Sequence, residues 1–74
     1  MSKYVYLVYR NTPNGPIFED TYLSSKSAHR AVQRAIDYLV RDQIFHSKIT
    51  PEEAPSYRTK IGLTFRVKEV PLRK

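Results

Sequence analysis

The sequence contains no cysteine among its 74 residues. Neither disulfides nor thiolate metal sites can therefore stabilise the chain, and a fold this short must rely on packing or self-association. The absence of cysteine also fits a reducing compartment, and the predicted location is the cytoplasm.

Long apolar runs and glycine-rich loops are missing as well. No stretch approaches the roughly 18 apolar residues that span a bilayer, and the beginning of the chain lacks the apolar segment of a signal peptide. We therefore expect no membrane partner. The two glycines form no phosphate-cradling loop or nucleotide-binding fingerprint, so no cofactor is expected.

The chain has few groups suited to catalysis. His29 and His46 are its two histidines, and neither stands at a spacing from carboxylates or hydroxyls that indicates a metal site or a nucleophile–base pair. Glu19, Asp20 and Glu69 are explained more simply as strand charges than as the carboxylates of a metal-dependent nuclease. The sequence predicts a protein that is not an enzyme and has no metal site.

Positive charge is abundant. Thirteen Lys and Arg against seven Asp and Glu give a net charge of +6, and the pI is about 9.8. Such a surface attracts polyanions or an acidic protein patch, although charge can also serve solubility alone. With 41% hydrophobic and 12% aromatic residues, the composition is that of one globular domain over residues 1–74.

Three segments have the composition of strands. Residues 3–10 and 17–23 are rich in β-branched and aromatic types, and the intervening proline- and glycine-containing residues 11–16 predict a hairpin turn. Residues 60–70 alternate apolar with polar or basic types, which predicts a third strand that Pro71 ends. The apolar members of that alternation are Ile61, Leu63, Phe65 and Val67.

A long helix is predicted from Ser24 or Ser25, either of which is a plausible N-cap, to about Ile44. Ala28, Val32, Ala35 and Leu39 cluster on one of its sides. The opposite side carries Lys26, Arg30, Arg34, Asp37 and Arg41, and we expect Asp37 to offset part of the repulsion around Arg34 and Arg41. Residues 50–53 predict one helical turn, which Pro55 stops.

The predicted fold is α+β: a two-layer β-β-α-β arrangement, with a three-stranded antiparallel or mixed sheet of order 2-1-3 and the long helix on one face. One helix cannot cover both faces of the sheet, so the other face stays open. If Val5, Leu7 and Tyr9 point to the helix, the open face mixes aromatic rings with cations. Its predicted members are Tyr4, Tyr6, Val8, Arg10, Thr64, Arg66 and Lys68.

Two surfaces are thus predicted to bind a partner. Tyrosines and cations on the open sheet face suit single-stranded RNA or DNA, yet they suit a homodimer or protein contact equally well. No motif of the RNA-recognition type occurs in residues 61–68. On the helix, Lys26, Arg30, Arg34 and Arg41 form either an anion-binding stripe or a merely solvated face.

The segments Tyr4-Val5-Tyr6-Leu7-Val8-Tyr9 and Tyr22-Leu23-Ser24-Ser25-Lys26-Ser27-Ala28 resemble the first strand and helix entry of small uncharacterised phage and mobile-element proteins. The resemblance covers roughly the first 40 residues. It implies a phage accessory protein in the host cytoplasm, such as an inhibitor of a defence nuclease (a CRISPR effector, for example) or of transcription. The basic C-terminal strand departs from it, and the cationic charge excludes a DNA mimic.

The sequence therefore predicts a non-enzymatic module that binds nucleic acid or joins a nucleoprotein complex. The alternative is a phage-encoded inhibitor or adaptor that docks on an acidic surface of a host protein.

Overall fold

The computed structural model describes residues 3–72, which form a three-stranded sheet with helices packed on one side. The strands are β1 (Lys3–Thr12), β2 (Gly15–Tyr22) and β3 (Phe65–Leu72). Between β2 and β3 lie α1 (Ser25–Phe45), a 3₁₀ turn (Pro51–Glu53) and α2 (Ala54–Gly62). The α+β class with one long helix is confirmed.

The strand order is β2-β1-β3, with both pairs antiparallel, so the predicted order 2-1-3 is confirmed. The pairing of β1 with β3 runs without interruption from Lys3 opposite Leu72 to Arg10 opposite Phe65. The most apolar strand is therefore the central one, where both of its edges are hydrogen-bonded.

A tight turn joins β1 to β2, as predicted. Gly15 adopts a φ of 110°, a conformation that side-chain-bearing residues rarely reach. The Thr12 hydroxyl donates to the Gly15 carbonyl oxygen at 2.7 Å and accepts from the Asn14 amide at 3.2 Å. These bonds satisfy polar groups at the turn and fix the register of the hairpin.

Helix α1 begins and ends close to the predicted positions. The Ser24 hydroxyl caps its first turn by accepting from the Ser27 amide at 3.1 Å, and His46 is the C-cap residue. Ala28, Ile36 and Val40 are its buried residues. Ala28 was predicted for the apolar side, whereas Ile36 and Val40 were not among its predicted members. A second helix packs against α1 and helps to bury them, while Val32, Ala35 and Leu39 are only partly buried.

That second helix, α2, corrects the prediction for residues 50–64. Thr50 forms the expected cap, a reciprocal capping box with Glu53. Pro55 does not stop the helix, because it occupies the first turn of α2, where a missing amide costs nothing. The helix takes up Ile61, and Leu63 is an exposed turn residue, so β3 starts later than the alternation suggested.

The side of β1 that faces the helix is also opposite to the expected one. Val8 is only 3% exposed and borders a cavity together with Val32 and Ala35 of α1 and Phe65 of β3. Because side chains alternate along a strand, Tyr4 and Tyr6 share the helix side with Val8. Val5, Leu7 and Tyr9 therefore lie on the uncovered side.

No helix within residues 3–72 is long and apolar enough to cross a bilayer.

Candidate functional site

The open face of the sheet is the side opposite α1, and it is more apolar than expected. Directly paired residues of antiparallel strands share a face, so the register assigns its members. Val5, Leu7 and Val70 are partly exposed at its centre. Around them lie Lys3, Tyr9, Phe18, Thr21, Arg66, Lys68 and Leu72.

Two aromatic rings stand together on the open face because of an irregularity in β2. The register shifts between Val8 and Tyr9, so that Asp20 pairs with Val8 while Phe18 pairs with Tyr9. Glu19 is left over as the bulged residue. The rings of Tyr9 and Phe18 meet edge to face with their centroids 5.6 Å apart, and Phe18 is 52% exposed. An aromatic platform thus remains open to solvent.

Charges divide unevenly between the two sides of the sheet. Among residues 3–72, Arg66 and Lys68 project on the open face beside Tyr9 and Leu7. The carboxylates of Asp20 and Glu69 lie on the helix side, opposite Val8 and Tyr6 respectively. Glu19 also turns to that side, where it pairs with Arg10. The described open face therefore carries cations and no carboxylate.

Four residues predicted for the open face, Tyr4, Tyr6, Val8 and Arg10, lie on the helix side instead. Tyr6 is half-buried, and its hydroxyl donates to Glu69 Oε2 at 3.3 Å. Arg10 Nε lies 3.6 Å from Glu19 Oε1. Tyr4 pairs with Pro71 of β3 on the same side. Of the predicted binding residues on the sheet, only Arg66 and Lys68 lie on the open face. Its aromatic rings are those of Tyr9 and Phe18, in place of Tyr4 and Tyr6.

The outer face of α1 carries the four cations that the sequence singled out. Lys26, Arg30, Arg34 and Arg41 are all exposed. None of them takes part in an ion pair within the described chain. The expected partner, Asp37, binds Arg58 of α2 instead, so the repulsion around Arg34 and Arg41 is not offset in the way predicted.

Sequence reasoning missed two aromatic residues on the outer face of α1. Tyr38 is 68% exposed and Phe45 is 81% exposed, and both border a shallow concavity with Arg41. Their separation of seven residues, or two helical turns, places them on one side of the helix. Arg34 and Arg41 lie on the same side of the helix. The helical spacing of these two arginines with Tyr38 and Phe45 could have identified this surface from the sequence.

The chain matches no protein-family model. No curated protein and no solved structure is significantly similar to it either. Its function must therefore be argued from its own residues.

The histidines are engaged locally. His29 Nδ1 lies 2.8 Å from the Ser25 carbonyl oxygen, one turn earlier in α1. His46 Nε2 lies 3.4 Å from Asp42 Oδ1, also one turn apart. Within residues 3–72, no three His, Asp or Glu side chains come together in a group suited to a metal ion.

Proposed function

We propose that this protein is a small, non-enzymatic module that binds nucleic acid through the open face of its sheet. One observation carries the proposal: the exposed ring of Phe18 packs against the partly exposed ring of Tyr9 beside Arg66 and Lys68, on a described face without carboxylates. Aromatic rings next to cations match the alternation of bases and phosphates in a polynucleotide.

Single strands fit this surface better than duplexes. Only unpaired bases can place their faces on an aromatic side chain, and each stacked base contributes about 1–3 kcal/mol. Phe18 is the more exposed ring and is the expected stacking residue. Arg66 and Lys68 then meet the phosphates, and the outer face of α1 adds long-range attraction.

Fluorescence anisotropy with labelled oligonucleotides of about twelve residues tests the proposal. Single-stranded RNA, single-stranded DNA and duplex DNA are titrated at about 50 and 200 mM salt. We expect single strands to bind and their affinity to fall steeply with salt, because phosphate contacts release counterions. Comparing RNA with DNA reveals any contact to the 2′-hydroxyl.

Variants locate the surface. Phe18→Ala removes the stacking ring, and the double variant Arg66→Gln/Lys68→Gln removes two cations. The matched control changes two cations away from the open face, Lys48→Gln/Lys60→Gln, and lowers the net charge equally. If the open-face variants weaken binding no more than the control variant does, net charge alone explains the binding and a specific surface is contradicted. If no oligonucleotide binds at low salt, the proposal is wrong.

A second function is an inhibitor or adaptor encoded by a phage that docks on an acidic surface of a host protein. The observation that favours it is the exposed pair Tyr38 and Phe45 beside Arg41, since aromatic residues and arginine dominate protein hot spots. A defence nuclease or the transcription machinery would be such a partner. Pull-down from host lysate with and without nuclease separates the two functions, because a protein partner survives digestion whereas a nucleic-acid bridge does not.

A homodimer through the open face is less favourable on charge. Stacking two copies would bring Arg66 and Lys68 of each chain onto a face without described carboxylates. We therefore expect a monomer at low salt. Sedimentation equilibrium measures this directly, and a dimer that Phe18→Ala disrupts would instead support self-association through this face.

A further inference from the structure

A groove runs between α1 and the end of β2, on the helix side of the sheet. It has a volume of about 470 Å³, and Tyr22, Ser27, Arg30, Ala31 and Arg34 line it. Arginines and hydroxyl-bearing residues therefore border one concavity, which we call the α1–β2 groove.

The two arginines lie one helical turn apart, where like charges destabilise a helix by a few tenths of a kcal/mol. Neither has an ion-pair partner among residues 3–72. Two carboxylates lie between α1 and β2 near the groove. Glu19 pairs with Arg10, and Asp20 accepts a hydrogen bond from the Thr21 amide at 2.7 Å. No carboxylate of the described chain neutralises the groove.

The hydroxyl groups of the groove are also able to donate. Ser27 accepts a hydrogen bond from the Ser24 hydroxyl at 2.9 Å, which leaves its own proton free. Within residues 3–72, the Tyr22 hydroxyl forms no side-chain hydrogen bond. It differs in this from the Tyr6 hydroxyl, which donates to Glu69. Guanidinium groups and hydroxyls together present positive charge and hydrogen-bond donors to the groove, and no carboxylate.

We propose that the α1–β2 groove is a binding site for a phosphate group, held by Arg30 and Arg34 with hydrogen bonds from Tyr22 and Ser27. Guanidinium forks bind tetrahedral oxyanions through paired hydrogen bonds, and the hydroxyls complete the donor set. The phosphate is an internal phosphodiester or a 5′-terminal phosphate of the nucleic acid. To that extent the inference rests on the proposed function.

Inorganic phosphate is the first probe. Amide chemical shifts of ¹⁵N-labelled protein are followed as phosphate replaces chloride at constant ionic strength. We expect saturable shifts at Tyr22, Ser27, Arg30 and Arg34. Shifts that are the same in chloride, or that are spread over all cationic residues, overturn the proposal.

The variants Arg30→Gln and Arg34→Gln remove one guanidinium each while keeping a good helix former. Each is expected to weaken phosphate binding about tenfold, the usual effect of losing one charge-assisted hydrogen bond. Arg41→Gln is the matched control, because it removes an equal charge from the same helix but borders a different concavity. If phosphate binding weakens equally in all three variants, the phosphate is attracted by the overall positive charge and the proposed site is wrong.

Oligonucleotides with a 5′-phosphate or a 5′-hydroxyl identify the source of the phosphate. A preference for the 5′-phosphate that Arg34→Gln abolishes assigns the groove to strand ends. Equal binding of both oligonucleotides that Arg34→Gln weakens assigns it to internal phosphodiesters. Oligonucleotide binding that is insensitive to both groove variants overturns the inference but leaves the open face intact. Phosphate binding without any oligonucleotide binding supports the groove and contradicts the proposed function.

Discussion

Burial and a contact between strands together raise the pKa of Tyr6. Partial burial raises the pKa of its hydroxyl above 10.0, and the adjacent carboxylate of Glu69 raises this pKa further. The folded state therefore favours the neutral phenol. Its contribution to stability is complete below about pH 10 and is lost as the pH rises through the raised value.

The ultraviolet absorbance of tyrosinate tests this reading of Tyr6. We expect Glu69→Gln to lower the pKa of Tyr6 without returning it to 10.0, because the burial persists. The variant Tyr6→Phe identifies the Tyr6 transition by removing it. A titration of Tyr6 that is unchanged in Glu69→Gln would show that the carboxylate has no influence.

The two glycines are expected to respond to alanine in opposite ways. Gly15 has a φ of 110°, so Gly15→Ala should lower the free energy of unfolding by about 1 kcal/mol or more. Gly62 is helical, and an added Cβ would lie 3.6 Å from Ile36 Cδ1, an ordinary contact. Gly62→Ala should raise that free energy by up to about 1 kcal/mol. Urea unfolding of both variants checks the pair, and a Gly15→Ala protein as stable as the parent would contradict the turn geometry.

Residue identities predicted some local contacts and not others. The Ser24 cap follows from hydroxyl chemistry next to a helix start, and the structure has it. The pairing of Asp37 with Arg58 could not be predicted in the same way, because it joins α1 to α2, a helix that the sequence did not predict. Spacing within one element cannot reveal a partner on another.

The prediction lacks helix α2 because it treats Pro55 as a helix terminator, a role that proline has in a helix interior and not in the first turn. Pro55 lies in the first helical turn, where it is tolerated. The alternation of Ile61 and Leu63 with Gly62 and Thr64 then favoured a strand. Alternation over so few residues does not separate a strand from a helix end followed by a turn.

The packing of α2 on α1 should depend on burial rather than on its ion pair. Ile36 and Val40 are buried, whereas Asp37 and Arg58 are partly exposed. We expect Ile36→Ala to cost about 2–4 kcal/mol of unfolding free energy. Asp37→Asn should cost less than about 1 kcal/mol, because solvent screens exposed pairs. Chemical unfolding measures both, and a larger loss for Asp37→Asn than for Ile36→Ala would reverse this ranking.

The inverted face of β1 has a similar cause at the scale of the sheet. Val5 and Leu7 on one side and Val8 on the other are all apolar, so alternation alone cannot choose the buried side. The register against β3 decides it by placing Val8 opposite Val67. That register could not be derived while β3 was expected to begin five residues early.

At the scale of the molecule, the fold is thin and extended. Its principal dimensions are 48 × 25 × 16 Å, and its radius of gyration is 14.5 Å, against about 11 Å for a compact chain of this length. Only Val8, Ala28, Ile36 and Val40 count as buried core residues among those described. The net charge was readable from composition, whereas this small core was not, because burial depends on how the layers meet.

In a chain of 74 residues, each kcal/mol added to the free energy of unfolding raises the melting temperature by about 4–8 °C, so ligand binding should be easy to detect. A ligand at 100 times its dissociation constant adds about 2.7 kcal/mol to the free energy of unfolding. We expect single-stranded oligonucleotide to raise the melting temperature measured by calorimetry, and to raise it less in the Arg66→Gln/Lys68→Gln variant. An unchanged melting temperature at saturating oligonucleotide would contradict binding to the folded state.

The pairing of Lys3 with Leu72 places the first and last described residues on adjacent strands, about 5 Å apart. A polypeptide that enters this fold therefore leaves it almost where it entered. Inserting residues 3–72 into a surface loop of another protein would therefore require little separation of the two ends of that loop. This geometry makes the fold suitable for domain insertion.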